Sequence, residues 1–165
     1  MDFLALLLLI AVLVFFSRYF LGVGIGAPWL PSRRRDIPDG FALVDITSAD
    51  TVIDLGSGDG RLLVEAAKRG AAVVGYELNP FLVWWSRRKL SSFGNRAVVY
   101  RKNLLDADLS QATLIYIFGI TSIMPQVADK LRRECRPGTK IISFAFELPG
   151  WDPVERKGIA MLYSR

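Results

Sequence analysis

Fourteen consecutive apolar residues, Phe3 to Phe16, open the chain, and no later apolar run approaches that length. Coiled as a helix they extend about 21 Å, short of the roughly 30 Å hydrocarbon core of a bilayer. Continued through Tyr19, Phe20, Leu21, Val23 and Ile25, the segment reaches about 34 Å. The pattern therefore predicts one single-pass transmembrane helix over 3–25, with Arg18 snorkelling near its end and Gly22, Gly24, Gly26 and Pro28 marking the exit. Residues 1–26 form the predicted anchor, and 27–40, APWLPSRRRDIPDG, a linker rich in proline and charge. Residues 41–165 form the predicted domain.

From Thr51 onward the pattern changes to short apolar runs alternating with amphipathic stretches. Predicted strands are Thr51–Leu55, Ala72–Glu77, Ala97–Arg101, Leu114–Phe118, Lys140–Phe146 and a last short one, Ile159–Tyr163. Predicted helices are Arg61–Lys68, Pro80–Leu90 and Ile123–Arg133. In the last, Ile123, Met124, Val127 and Leu131 share one face, and Thr121 or Ser122 is placed to cap the start. In the second, adjacent Trp84 and Trp85 point about 100° apart. One of them is expected in the core and the other at the surface, followed by the basic cluster Arg87, Arg88 and Lys89. Alternating apolar strands and helices predict an α/β fold, doubly wound and Rossmann-like, with a mostly parallel sheet covered on both faces.

Composition narrows the chemistry. The chain is 52% hydrophobic, and 23 of its first 30 residues are apolar, so the excess sits in the leader. There is no histidine, which excludes imidazole acid–base chemistry, Ser-His-Asp and Cys-His sites and His-ligated zinc. A single cysteine, Cys135, excludes disulfide frameworks and multi-cysteine metal sites, and no metal is expected. Beside Arg132, Arg133 and Arg136 it is either a reactive thiol or a space-filling residue near a helix end. The net charge of +5 and pI of 9.6 suit an anionic partner. The basic residues are scattered rather than striped, so a membrane surface is expected and nucleic acid is not. Asp2 precedes the apolar run and Arg33, Arg34 and Arg35 follow it, which places the domain on the cytoplasmic side or its topological equivalent. A cleaved signal peptide is the rival, but it needs a basic start that Met1-Asp2 does not supply.

The most informative string is VIDLGSGDGR, Val52 to Arg61. A strand enters a loop carrying Gly56, Gly58 and Gly60 and leaves as a helix. Glycines there let a ligand approach the backbone, and free amides at the helix start favour its anionic end. Glu77 closes the next strand about 20 residues on, where a carboxylate can accept both ribose hydroxyls. A dinucleotide fingerprint needs a small residue at position 61, where this chain has Arg61. The spacing is instead acidic-x-Gly-x-Gly-x-Gly.

That spacing, with the later acid, resembles motif I of class I S-adenosylmethionine-dependent methyltransferases. The likeness narrows with GYELNP at Gly75–Pro80, FLVWWSRRK after it and IFG at Ile117–Gly119. Together these strings resemble the membrane-anchored protein-lysine methyltransferases that modify the ATP synthase c subunit or the adenine nucleotide translocase, and their prokaryotic relatives. The resemblance implies S-adenosyl-L-methionine as cofactor. Gly56, Ser57 and Gly58 would wrap its methionine end, with Gly60 also among the cofactor-binding residues, and Asp54 would hold its ammonium. Glu77, with Leu78 and Asn79, would hold the ribose, and Asn103 and Leu104 would meet the adenine. At Asn103 the family pattern has aspartate; an amide oxygen can still accept the adenine amino group. Phe118, Gly119 and Ile120 are expected to line the acceptor channel, and no catalytic base is assigned.

Methyl transfer from a sulfonium is an in-line displacement in which alignment is worth about 7–11 kcal/mol. A lysine acceptor must lose its proton, and a dry channel lowers the pKa that opposes this. The chemistry thus dispenses with histidine. Protein-lysine N-methylation of a membrane-embedded substrate is the expected activity. Methylation of a lipid or quinone-like molecule, and a silent cofactor-binding scaffold, are the alternatives.

Overall fold

The computed structural model describes residues 3–20, 37–119 and 121–165. The first element, α1 (Phe3–Phe20), rises about 27 Å over its 18 residues. Among the described residues no helix is long and apolar enough to cross a membrane. This corrects the predicted single-pass span over 3–25: the unbroken apolar run ends at Phe16, and its extension through Leu21–Ile25 lies outside the described residues. Arg33, Arg34 and Arg35, on which the predicted orientation rested, also lie outside them, as does most of the predicted linker. The linker's last four residues belong to a packed helix, α2 (Ile37–Ala42), in which Gly40 and Phe41 are buried.

Five parallel strands form the centre of the fold. They are β1 (Thr51–Leu55), β2 (Ala72–Glu77), β3 (Ala97–Arg101), β4 (Leu114–Ile117) and β5 (Lys140–Phe144). Helices α3 (Arg61–Lys68), α4 (Pro80–Leu90) and α5 (Met124–Glu134) alternate with them. A terminal hairpin, β6 (Glu155–Lys157) and β7 (Ala160–Ser164), completes the order β3-β2-β1-β4-β5-β7-β6, with β7 antiparallel to β5. The strand order reverses between β1 and β4, which opens a crevice at their carboxyl ends.

Side chains alternate across the strands and fill two cores. Val52, Val73, Leu114, Tyr116, Ile142 and Phe144 pack with α2, α3 and α4 on one face. Ile53, Leu55, Ile115, Ile117 and Ile141 pack with α5 on the other. Asp54, Gly75 and Glu77 follow the same alternation onto the first face, so two carboxyl groups share that face with Tyr116 and Phe144.

Three local expectations change. Neither Thr121 nor Ser122 caps α5; the cap position is Ile123, with no side-chain hydrogen bond, and Pro125 sets the first turn. Both Trp84 and Trp85 are exposed, because Leu82, Val83, Ser86 and Leu90 already fill the buried stripe of α4. The chain ends in two strands rather than one, since the wholly exposed Glu-Arg-Lys of β6 carries no apolar signal. Cys135 is buried, and burial first, then Glu134, pushes its thiol up to about 11, which fits the space-filling reading and not the reactive one.

Candidate active site

The glycine loop leaves β1 at the carboxyl edge. Gly56 has φ of +90°, which a side chain tolerates poorly, yet the space a Cβ would take is open. Its amide and that of Ser57 both donate to the Tyr76 carbonyl, at 2.9 and 3.0 Å. Gly60 also has positive φ and sits against Ser86 of α4, so any larger residue collides with that hydroxyl. Gly60 starts α3 without a side-chain cap, leaving the first-turn amides facing the crevice.

Glu77 braces this loop. Its Oε2 accepts from the Gly58 amide at 3.0 Å, and its Oε1 accepts from the Asn79 amide at 2.7 Å. One carboxylate thus ties the loop after β1 to the turn after β2. The Asn79 side chain caps α4, accepting from the Phe81 and Leu82 amides, so it positions the site rather than offering its amide oxygen to a ligand. Leu78 is half-buried beside it, and its carbonyl accepts from Arg101 Nε.

Asp54 forms the floor. It is buried, with no hydrogen-bonding partner among the described residues. Burial first, then the negative charges of Glu77 and Asp59, raises its carboxyl to about 8. The Ser57 and Tyr116 hydroxyls are also buried without partners. Tyr116 lies opposite Asp54 on β4, and burial raises its phenol above the usual range. A dry floor of one carboxyl and two unpaired hydroxyls fits a ligand that brings a cation and hydrogen-bond donors, as the amino-acid end of S-adenosylmethionine does. The residues expected to hold that cofactor therefore suit it.

Asp59 and Tyr116 were not among the expected site residues. Asp59 pairs bidentately with Arg61 and accepts from Lys89 of α4 at 2.7 Å. Although burial opposes ionisation, these bonds hold its carboxyl at about 2. A charged Asp59 flanked by Gly58 and Gly60, two residues before Arg61, was a signal available in the string. Tyr116 was legible as the one polar group in an otherwise apolar strand.

The adenine and acceptor positions lie farther along the edge. Asn103 is half-buried, and its side-chain oxygen accepts from the Leu105 amide at 3.0 Å, capping a single 3-10 turn. Leu104 packs on the second core. Phe118 is half-buried after β4, with its ring 6.5 Å from Phe144 and 6.2 Å, edge-on, from Phe146. Gly119 is buried against the Met124 side chain, so Phe118 is the expected channel residue that faces the edge with a side chain; Ile120 lies outside the described residues. Ala145, the residue after β5, is held at φ of +64°.

The strand order, the inserted antiparallel β7, the glycine loop after β1 and the acid closing β2 define a Rossmann-like methyltransferase fold. A crystal structure of an RNA methyltransferase from Salinibacter ruber in complex with S-adenosyl-L-homocysteine has the same fold, with TM-score 0.75 and 28% identity over 82% of this chain and 92% of that one. The chain belongs to the ANTKMT methyltransferase domain family, whose model matches residues 54–155. It is 35% identical over 133 residues to the ATP synthase c-subunit lysine N-methyltransferase of Rattus norvegicus, covering 79% of this chain and 61% of that protein. It is 31% identical over 132 residues to a protein-lysine N-methyltransferase of Saccharolobus islandicus, covering 78% of this chain and 82% of that one. The chain thus spans about three fifths of the length of the rat relative.

Proposed function

We infer that the chain is an S-adenosylmethionine-dependent protein-lysine N-methyltransferase acting on a membrane-embedded protein. The observation that carries this reading is Asp54: a buried carboxyl, unpaired and pressed by two neighbouring acids, at the floor of a glycine loop. A cationic ligand relieves that frustration, and the activities for which the relatives are named supply the acceptor. The cofactor, when bound, contributes a methyl group on a sulfonium.

The chain's own residues do the rest. Asp54 ionises against the ligand's ammonium, and the uncapped first-turn amides of α3 are left for its carboxylate end, those of Gly56, Ser57 and Gly58 being bonded already. Glu77, already fixed by the amides of Gly58 and Asn79, keeps lone pairs directed at a ribose. The rings of Phe118, Phe144 and Phe146 keep water from the acceptor, so a lysine amine arriving there loses its proton more readily. No side chain is needed as a base. Leu4, Leu8 and Leu13 of α1 are exposed along an apolar helix, which favours a membrane setting for both enzyme and substrate.

Radiolabelled S-adenosylmethionine with membranes and the full chain tests the reading, followed by separation of protein, lipid and RNA. Label on protein lysine is the expected result. Label only in the lipid phase, or only in RNA, overturns the acceptor. No calorimetric binding of the cofactor overturns the enzyme reading.

A further inference from the structure

Helix α4 begins just after the Glu77–Asn79 turn, so its first two turns stand beside the mouth of the cofactor crevice. Its buried stripe is complete without the indoles, and Trp84 and Trp85 are 55% and 42% exposed. Their rings lie 5.9 Å apart and both contact Phe81, at 5.9 and 6.2 Å, forming one continuous aromatic surface. Two adjacent, mutually packed indoles at the surface are costly in water and suited to an interface that is apolar on one side and wet on the other. One turn beyond, Arg88 is exposed and follows Trp84 at i+4, while the Lys89 ammonium lies 5.8 Å over the Trp85 ring. Arg101, exposed at the end of β3, adds a further positive charge at the same edge. The helix itself contains no acidic residue.

We propose that this face of α4, Trp84 and Trp85 with Arg88, docks on the headgroup region of an anionic lipid bilayer and turns the crevice towards the membrane surface. The pattern of large indoles followed within a turn by cations is what such a surface selects: rings at the headgroup level, positive charge among the phosphates. The exposed apolar side chains of α1 independently favour a bilayer as the neighbouring surface. The proposal takes from the functional reading only its purpose, the presentation of the site to a membrane-embedded lysine.

The test uses the full chain in vesicles with Trp29 and Trp151 replaced by phenylalanine, so that Trp84 and Trp85 are the only indoles. In phosphatidylcholine–phosphatidylglycerol vesicles, lipid brominated high on the acyl chain is expected to quench their emission at least twofold. Acrylamide access should fall at least threefold relative to pure phosphatidylcholine, and Arg88→Glu should abolish that difference. Indoles that stay unquenched and open to acrylamide overturn the proposal. Indoles shielded from acrylamide yet unquenched by bromine also overturn it, because the face is then covered by protein or by a second copy. Trp84→Ser, which leaves the Lys89–Trp85 contact in place, should leave calorimetric cofactor binding unchanged while lowering label transfer to membranes about tenfold. If no methylation is detected for any chain, the functional reading fails, and the bromine result still decides the docking face.

Discussion

Between β1 and β2 the carboxyl edge of the sheet is held by directed hydrogen bonds, whereas between β4 and β5 it is held by aromatic rings. Glu77, Asp59 and Asn79 each make at least two directed bonds, several of them charge-assisted. Phe118, Phe144 and Phe146 meet only ring against ring. Directed bonds fix where a ligand's polar atoms go and tolerate little change. Ring packing excludes water and sets a shape, and it adapts more readily to different occupants. The first half has the build of a site that fixes a ligand's polar atoms, the second of a site that can adapt to different occupants.

The largest break in that contrast should come from Glu77→Ala. It removes the brace on the amides of Gly58 and Asn79 together with the proposed ribose contact, and cofactor affinity by calorimetry should fall on the order of 100-fold, about 3 kcal/mol. Glu77→Gln, which keeps one acceptor oxygen, should lose less.

Phe118→Ala addresses the other half. Methyl transfer under saturating cofactor should fall about tenfold, because water enters the channel and the acceptor is less well aligned. Cofactor affinity should stay within about twofold. Equal loss of both would mean that the two halves are not separable.

Asp54 sharpens the contrast through pH. Its folded pKa of about 8 lies above the ordinary 3.8, so the folded state holds an extra proton between those values. Stability of the ligand-free protein therefore carries a component that falls as pH rises from about 4 to 8. Asp54→Asn should flatten that slope and be more stable at pH 8 by on the order of 2 kcal/mol, read by denaturant titration. At pH 6.5, cofactor binding should release about one proton in the wild type and none in the variant, seen by calorimetry in buffers of different ionisation enthalpy.

The smallest effect belongs to Asn103. Asn103→Asp keeps the acceptor that caps the 3-10 turn, and cofactor affinity should change by less than about threefold. Asn103→Ala should cost about 1 kcal/mol of stability through the lost cap.

Most of the sheet was legible because its central strands are buried and its strands read as apolar runs; β1, β2 and β3 begin and end where the pattern places them. What escaped was polar or distant. Glu155–Lys157 pairs through its backbone, and three exposed polar side chains give no sign of it. The Trp84–Trp85 expectation failed because periodicity assigns a face without saying that Leu82, Val83, Ser86 and Leu90 have already filled it. At the site, hydrogen bonds join the loop of Gly56, Ser57 and Gly58 to Tyr76 and Glu77 of β2. The second function of Glu77, as a brace, depends on amides that only the folded chain brings within reach. The Lys89–Asp59 bond joins residues thirty apart and has no local signature.

Lys89 belongs to two surfaces at once. Its ammonium holds both the carboxylate and the backbone oxygen of Asp59 in the glycine loop, while it lies over the outward-facing ring of Trp85. A contact that restrains this side chain from outside also restrains the loop, and the converse follows from thermodynamic reciprocity. If a bilayer tightens cofactor binding through Lys89 by some factor, the cofactor tightens attachment to the bilayer by the same factor. An enzyme so wired would leave the membrane more readily when empty than when loaded.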